Sequence, residues 1–275
     1  SPEVQKEIKK FNLIRFDGDF AGLLTRFTTT GDFRTSIGNF SGRVNYDLVK
    51  GVPSIVSRLK VQNLDLGILA EDKELLQKIS LEGNVNVKGS SLQNALIDLN
   101  ASISQLGINQ YNFTNITTDA TYGLNLFRGN LAVDDPNLKA RIKGSLNLKE
   151  SVDSVRLMVE LDTLFLDRIN LIDKPAFVSG KLDIDTKGIT LDELEGIARF
   201  NDIKVGYEDR FLEVGDFFFQ SLFAGGTRTL SLNSDYLVVA ASGQFNIEQM
   251  RIHSNKNLST QQKAIKIAEF SPLLV

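Results

Sequence analysis

The sequence predicts an all-β protein with mainly antiparallel strands, and three observations support this prediction. Apolar and polar residues alternate along many short runs, which is the period of a strand with one apolar side. A glycine-led motif begins six of these runs. Turn residues separate the runs by short distances, and short connections suit antiparallel neighbours.

The clearest predicted strand is the segment from Leu138 to Leu148, LKARIKGSLNL. One side of it is apolar or small, while the other side carries Lys139, Arg141 and Lys143 together with a serine and an asparagine. Three cationic side chains on one side of a strand can contact phosphate groups or nucleic acid. Charged residues at alternate positions of a strand, however, usually form its solvated side. We therefore expect a half-buried strand with a basic face in water.

The chain before the first glycine motif is predicted to consist of a short polar lead-in followed by strands. Residues 1–10 are polar, which suits a lead-in or a short helical turn. The strand pattern begins at Phe11 and covers residues 11–20 and 24–33. Gly18, Gly22 and Gly31 interrupt these runs and are predicted turns or bulges.

The repeated motif consists of glycine, a spacer, an apolar residue, a second spacer and a second apolar residue. Its irregular spacing favours one strand type used repeatedly, because a solenoid would show a fixed period. Glycine on the apolar side marks places where the sheet bends or where another group packs closely. The copies are Gly42–Tyr46, Gly83–Val87, Gly129–Val133, Gly144–Leu148, Gly180–Ile184 and Gly243–Ile247.

Further alternating runs lie between these copies and are also predicted strands. They cover Ser54–Val61, Ala95–Ile103, Ile116–Tyr122, Val155–Leu161, Ile203–Tyr207, Phe217–Phe223 and Leu230–Leu232. Residues typical of turns separate many of them. These turns are residues 134–137, 173–175, 225–226 and 233–235.

Only two stretches predict helices. In Gly67–Ile79, five isoleucine and leucine residues fall near helical spacing with charged residues between them. In Leu258–Phe270, Ser259 and Thr260 are possible N-caps before a short apolar patch.

Composition excludes several classes of function. The 275 residues are 42% hydrophobic and 24% charged, with a net charge of −3, which gives no general reason to expect nucleic acid. The absence of cysteine excludes disulfides and thiolate metal sites. The 18 phenylalanines and the lack of tryptophan favour a dry interior or lipid contact over a hydrogen-bonded sugar site.

No catalytic motif stands out. His253 is the only histidine, which excludes a histidine-rich metal site, and we interpret it as a surface residue. The carboxylates of Asp134 and Asp135 sit in a Pro-Asn turn, and the acidic run 192–195 lacks the spaced oxygen ligands of a calcium loop. No glycine-rich nucleotide-binding motif follows a strand. We predict neither an enzyme nor a bound cofactor or metal.

The apolar side of the strands leaves two possibilities open. A second sheet can close it, as in a β-sandwich. Alternatively, the side stays open and binds a ligand, because a wide exposed apolar surface is costly in water. Periodicity alone does not separate these cases.

The order of several short motifs resembles the central region of the TamB family, the translocation and assembly module proteins of Gram-negative bacteria. This family is grouped with the AsmA-like and bridge-like lipid-transfer proteins. The resemblance spans about residues 20–250, while the last twenty-odd residues match less clearly. Its motifs are residues 29–38, 64–69, 78–85, 111–116 and 129–138.

The resemblance implies a strongly curved, elongated sheet that forms an apolar-lined, taco-like groove along which phospholipid acyl chains slide. It implies a periplasmic location, with the full-length protein anchored in the inner membrane. It also implies an outer-membrane barrel partner of the TamA/BamA type, bound through regions outside this segment. On this interpretation residues 1–275 are one groove segment, with 1–10 as lead-in and 255–275 as an uncertain tail.

The predicted function is passive conduction of phospholipid between the inner and outer membranes. The expected lining of the groove is the apolar side of the strands. Its residues are Val44, Val85, Val87, Ile97, Leu99, Leu131, Val133, Ile142, Leu146, Leu148, Leu157, Val159, Leu182, Ile184, Phe217, Phe219, Phe245 and Ile247. The alternative is an assembly scaffold for outer-membrane proteins that acts by strand-edge pairing, with the apolar side a closed core.

Overall fold

The structure is a computed structural model that describes residues 2–91, 94–148, 153–188, 192–235 and 238–245. Four sequence predictions fall outside these residues: the lining residue Ile247, the histidine His253, the helix Leu258–Phe270 and the tail 255–275.

The described residues form sixteen strands and two short helices. The helices are α1 (Pro2–Lys10) and α2 (Leu66–Ala70). The strands of the first half are β1 (Ile14–Leu23), β2 (Arg26–Thr35), β3 (Gly38–Val49), β4 (Val52–Asp65), β5 (Leu76–Lys88), β6 (Leu96–Ile108), β7 (Tyr111–Phe113) and β8 (Ile116–Gly123). Those of the second half are β9 (Leu126–Asp135), β10 (Leu138–Asn147), β11 (Ser154–Phe165), β12 (Ala176–Lys187), β13 (Glu195–Tyr207), β14 (Arg210–Ala224), β15 (Thr227–Ser234) and β16 (Val238–Gly243).

All of these strands belong to one antiparallel sheet whose order follows the chain. Each strand pairs with the next, except that β7 is a short branch beside β6, which pairs with β8. Among the described residues the sheet does not close on itself, and β1 and β16 lie at its two edges. The prediction of an all-β, mainly antiparallel, curved sheet is confirmed.

The curvature has a local cause in the strand register. The register shifts between β4 and β5, β5 and β6, and each successive pair from β10 to β14. These irregularities fall towards the same ends of the strands, for example at residues 61–64, 139–140 and 161–164. Because an extra residue bends a strand and increases its twist, the sheet curls most along this side.

The predicted helix over Gly67–Ile79 is wrong beyond Ala70. Asp65 caps α2 by accepting a hydrogen bond from the Ile68 amide at 3.0 Å, and Glu71 ends the helix at φ 60°. Leu76 and Ile79 then lie in β5, where they pair with residues of β6. One helical turn followed by a strand produced a spacing that resembled a longer helix.

The predicted turns or bulges at Gly18, Gly22 and Gly31 are also wrong. These glycines lie inside β1 and β2, whose pairing runs from Ile14 to Leu23 without a register shift. Gly18 is opposite Gly31, which is opposite Gly42 of β3. Gly18 and Gly31 therefore remove side chains from one row of the sheet, and none of the three glycines ends its strand.

The lead-in at residues 2–10 is a helix that docks on α2. The Lys10 ammonium donates to the Leu69 carbonyl at 2.8 Å, and both Lys6 and Lys10 lie within 3.5 Å of the Glu71 carboxylate. Across the described residues, no helix has the length and apolar character needed to cross a bilayer.

Candidate functional site

The candidate site is one continuous apolar face of the sheet. Residues directly opposite each other on antiparallel strands share a face, so the register traces each face from strand to strand. Ile142 of β10 is opposite Leu131 of β9 and Val159 of β11, and Val159 is opposite Leu182 of β12. We call this side of the sheet the apolar face and the opposite side the polar face.

The register places the predicted lining residues of the strands together on the apolar face. Leu148 follows β10 by one residue, and Phe245 follows β16 by two. The residues on the strands are Val44, Val85, Val87, Ile97, Leu99, Leu131, Val133, Ile142, Leu146, Leu157, Val159, Leu182, Ile184, Phe217 and Phe219. Their contact with lipid stays a prediction.

Several residues of the same face were not among those predicted. Tyr122 of β8 and Phe127 of β9 are directly opposite each other, and Phe200 of β13 stacks on Phe217 with ring centroids 4.1 Å apart. The sequence signal for β8 was present, because the run Ile116–Tyr122 alternates. The sequence provides less indication that Phe200 lies on this face, because a register shift next to it interrupts the alternation of β13.

Burial is uneven across the apolar face. Near the bulged ends of the strands, buried residues of β4 to β9 form a core cluster: Val61, Ile79, Leu81, Ala101, Ile103, Ile116 and Val133. Farther from those ends, large aliphatic residues such as Ile142, Leu157 and Ile184 are only half-buried. One side of the face is therefore packed, while the other remains accessible to an apolar ligand.

Two glycines of the repeated motif show why that residue recurs. Gly42 has φ 137° and Gly144 has φ 153°, a region that residues with side chains rarely adopt. A Cβ atom at Gly144 would lie 1.9 Å from the Arg156 carbonyl oxygen of the neighbouring strand. Glycine is thus required for the local backbone shape, as well as for space on the apolar face.

The bulged strand ends form what we call the helical rim, which consists of α1, α2, β7 and the connections at 136–137 and 166–175. A buried carboxylate organises its centre. Asp135, only 1% exposed, accepts hydrogen bonds from the Tyr111 hydroxyl at 2.7 Å, the Thr114 amide at 2.9 Å and hydroxyl at 3.0 Å, and the Asn137 amide at 2.8 Å. These bonds tie β7 to the β9–β10 turn.

The same network shifts two pKa values in opposite directions. Burial by itself would raise the pKa of Asp135, but the hydrogen bonds from Tyr111, Asn137 and Thr114 outweigh it and hold the pKa below its ordinary value. Burial raises the pKa of Tyr111, and its hydrogen bond to Asp135 adds to the increase. With its acceptor sites fully used, Asp135 has a structural role, as its position in an Asp-Pro-Asn turn indicates.

The opposite strand ends form what we call the hairpin rim, which contains the two-residue turns 24–25, 50–51, 124–125 and 225–226. Large apolar side chains are exposed here. Leu24 is 86% exposed and Leu124 is 65% exposed, and Leu23, Leu96, Leu148 and Phe223 are exposed as well. No helix covers this rim in the described part of the chain.

The basic side chains of β10 lie on the polar face, as predicted. Lys139 pairs with Asp134 at 3.1 Å, and Arg141 pairs with Glu160 at 3.4 Å. A shallow concavity crosses this face from Arg58 of β4 to Met158 of β11, and Lys143 also lines it. Over these strands the polar face is therefore concave, and its cationic and anionic side chains are interspersed.

Comparison of this chain with protein-family models, curated proteins and solved structures gives no match.

Proposed function

We propose that the apolar face conducts phospholipid acyl chains, and that the chain is a segment of a periplasmic lipid-transfer protein of the TamB type. The observation that carries this proposal is the continuity of the face, which can be followed by register from β1 to β16. On this proposal the full-length protein is anchored in the inner membrane and engages an outer-membrane barrel of the TamA/BamA type through other regions.

The chemistry of the face supports weak and uniform contact with lipid. Its accessible part consists mainly of interchangeable aliphatic side chains, such as Ile142, Leu157 and Leu182. Such surfaces gain free energy roughly in proportion to the apolar area buried, about 25 cal/mol per Å², without a preferred position along the face. A passive conduit needs this property, because a single tight site would stop the flow.

Photocrosslinking tests the proposal directly. A photoreactive residue at Ile142 or Leu146 should capture phospholipid in cells, while the same residue at Arg141 or Lys143 should not, because their side chains lie on the polar face. Equal capture from both faces, or no capture from the apolar face, would overturn the proposal.

A charge on the apolar face supplies the functional test. Ile142→Asp should reduce lipid capture at Leu146 by at least tenfold, because an ionised carboxylate is costly beside acyl chains. Lys143→Asp introduces the same group one residue away on the polar face and should leave capture unchanged. Circular dichroism of both variants shows whether the sheet is retained.

A second candidate function is an assembly scaffold that pairs through its strand edges. The observation that favours it is the long free edge at β1, whose ten residues are all exposed. The closed apolar core that accompanied this alternative has less support, because Ile142, Leu157 and Ile184 are only half-buried.

A further inference from the structure

The structure assigns a partner to the hairpin rim: we propose that the ends of strands β3 to β10 at this rim bind the surface of an anionic phospholipid bilayer. This inference goes beyond the conduction of acyl chains, and it does not require that any lipid enter the apolar face. Three features of these strand ends carry it: apolar side chains on both faces of the sheet, a surplus of cations, and their position on interior strands.

The first feature is that the polar face becomes apolar at the hairpin rim. Val49 of β3 is directly opposite Val52 of β4, and the register places both side chains on the polar face. Leu96 of β6 and Leu126 of β9 also lie on the polar face, each opposite Gly123 of β8. These four aliphatic side chains are between 36% and 50% exposed. A lining of the apolar face does not need them, because they lie on the other side of the sheet.

The exposed aliphatic side chains continue around the turns onto the apolar face. Leu124 in the β8–β9 turn is 65% exposed, and Leu148 on the apolar face is 43% exposed. The Leu148 amide donates a hydrogen bond to the Asn125 carbonyl at 2.8 Å, so the end of β10 lies beside this turn. A partner that covered one face of the sheet would leave the others in water, whereas a bilayer surrounds both faces of an inserted strand end. We call this set the apolar tips: Val49, Val52, Leu96, Leu124, Leu126 and Leu148.

The helical rim shows that apolar tips are not a general property of these strands. On the polar face, the same strands end there in hydrated residues, namely Gln62 of β4, Asp134 of β9 and Lys139 of β10. Asp134 and Lys139 form an ion pair across their turn. Polar residues therefore complete the polar face at one rim, and aliphatic residues complete it at the other.

The second feature is the charge beside the apolar tips. Among the described residues, the turns and the last two polar-face positions of β2 to β10 at this rim carry four cations and two anions. The net charge here is therefore +2, although the whole chain has a net charge of −3. The cations are Arg26, Lys50, Lys88 and Arg128, and the anions are Asp47 and Asp98.

Two of these cations are available to a partner. Arg26 pairs with Asp47 at 2.9 Å, but neither Lys50 nor Lys88 has a carboxylate within 4.0 Å in the described part of the chain. Lys50 lies in the turn between Val49 and Val52, and Lys88 is directly opposite Leu96. Each lysine is thus adjacent to aliphatic members of the apolar tips.

The third feature is that the apolar tips belong to strands with a neighbour on each side. Apart from the branch β7, every strand from β3 to β10 is hydrogen-bonded to two others. The exposure of these tips therefore does not depend on what precedes β1 or follows β16. The Gly89 amide also donates to the Pro53 carbonyl at 3.0 Å, which connects the end of β5 to the start of β4 at this rim.

Aliphatic side chains flanked by lysines are the combination that binds at the interface of an anionic bilayer. The aliphatic groups enter the boundary between headgroups and acyl chains, and the lysine ammonium groups contact anionic headgroups. The long apolar stem of lysine lets its charge remain at the headgroups while its neighbours insert. A bilayer supplies both the apolar medium and the negative charge along the whole rim, and is therefore the occupant that these tips fit.

Vesicle binding tests the proposal on the full chain. Co-sedimentation should show that the chain binds vesicles of phosphatidylcholine and phosphatidylglycerol in equal parts more tightly than vesicles of phosphatidylcholine alone. Added salt should weaken binding to the mixed vesicles, because it screens the attraction between the lysines and the anionic headgroups. The absence of binding to the mixed vesicles would overturn the inference.

A pair of leucine substitutions locates the contact. Leu124→Ser with Leu126→Ser should weaken binding to the mixed vesicles at least tenfold, because two exposed leucines no longer enter the bilayer. The matched control, Leu75→Ser with Leu212→Ser, removes two leucines near the helical rim that are 49% and 57% exposed, and should bind like the wild type. An equal loss in both variants would show that the contact is not at the hairpin rim.

A pair of lysine substitutions tests the charge. Lys50→Ser with Lys88→Ser should weaken binding to the mixed vesicles by about fivefold per lysine and leave binding to phosphatidylcholine unchanged. The control, Lys60→Ser with Lys78→Ser, removes the same charge from exposed polar-face positions nearer the helical rim and should have no comparable effect. An equal effect of both pairs would contradict a specific role of the hairpin rim.

A single tryptophan reports insertion directly. The chain contains no tryptophan, so Leu124→Trp introduces a unique fluorophore in the β8–β9 turn. Its emission should move to shorter wavelength when mixed vesicles are added, while the emission of Leu212→Trp should not change. Unchanged emission at position 124 would overturn the inference.

The alternative occupant of the apolar tips is a second copy of this chain. Analytical ultracentrifugation would then show a wild-type dimer that Leu124→Ser with Leu126→Ser converts to a monomer, without vesicle binding, and this result would also overturn the inference. None of these measurements depends on lipid capture at Ile142, so the failure of this inference and the failure of the proposed lipid function are distinguishable.

Discussion

The two rims of the sheet are built from the same strands but differ in what packs against them. The helical rim has two helices, a buried carboxylate network and a core cluster in which Ile116 is 3% exposed. The hairpin rim has two-residue turns and several exposed leucines. The core cluster thus lies along one side of the apolar face, while farther from it Ile142, Leu157 and Ile184 are only half-buried.

This difference explains how a one-layer sheet can hold its shape while leaving part of its apolar face accessible. A single sheet has no second layer to bury its apolar side, so something at its margin must supply the packing. The bulges curl the strands along the helical rim, where Leu66 of α2 and Phe113 of β7 pack against the core cluster. In the described part of the chain, no helix or core cluster packs at the hairpin rim.

The largest expected effect distinguishes the two sides of the apolar face. Ile116→Ala should lower the free energy of unfolding by about 3 kcal/mol, because it leaves a cavity in a packed cluster. Ile142→Ala, on the same face but half-buried, should cost only about 1 kcal/mol. Urea unfolding measures both, and equal costs would show that the face is packed uniformly.

An intermediate effect is expected at the carboxylate of the helical rim. Asp135→Asn should cost about 2 kcal/mol at neutral pH, because an amide cannot accept all the hydrogen bonds that the carboxylate accepts. The folded-state pKa of Asp135 is lowered, so its contribution is complete above the ordinary aspartate pKa and is lost as pH falls through the lowered value.

The pH dependence of unfolding checks this prediction. The wild-type chain should lose stability over that acidic range more steeply than the Asp135→Asn variant. Asp134→Asn is the control, since this neighbouring side chain is 74% exposed and, among the described residues, forms an ion pair with Lys139 alone. A similar change in both variants would contradict a special role for Asp135.

The smallest change in the free energy of unfolding, and the only increase, is expected at the hairpin rim. Leu124 occupies a turn position with φ 53°, where asparagine or glycine is favoured. Leu124→Asn should therefore raise the free energy of unfolding by about 0.5 kcal/mol. Thermal unfolding measures this gain, with Leu96→Asn as a control outside the turn. A loss of stability would show that Leu124 contributes packing in spite of its exposure.

The fold class was predictable from the sequence because strand period is a local property. Alternation along 138–148 predicts which side chains of β10 share a face, and the structure agrees with that assignment. The same reasoning failed at Gly67–Ile79, where one helical turn precedes a strand. It also failed at Gly18, Gly22 and Gly31. The sequence does not distinguish a glycine that ends a strand from a glycine inside a paired strand.

The site was predictable only in part. The repeated glycine motif predicted many residues of the apolar face, but it gave no measure of how exposed each one is. The network of Asp135, Tyr111 and Thr114 joins residues more than twenty positions apart, so no local pattern could reveal it.

The sequence by itself determined that the chain is a series of two-sided strands, because the alternation of side chains follows from backbone geometry alone. Only the tertiary structure decided that these strands form one open sheet, with two helices and a core cluster along one rim. The physical reason is that strand period specifies which side chains share a face, while burial and charge compensation depend on which strands become neighbours.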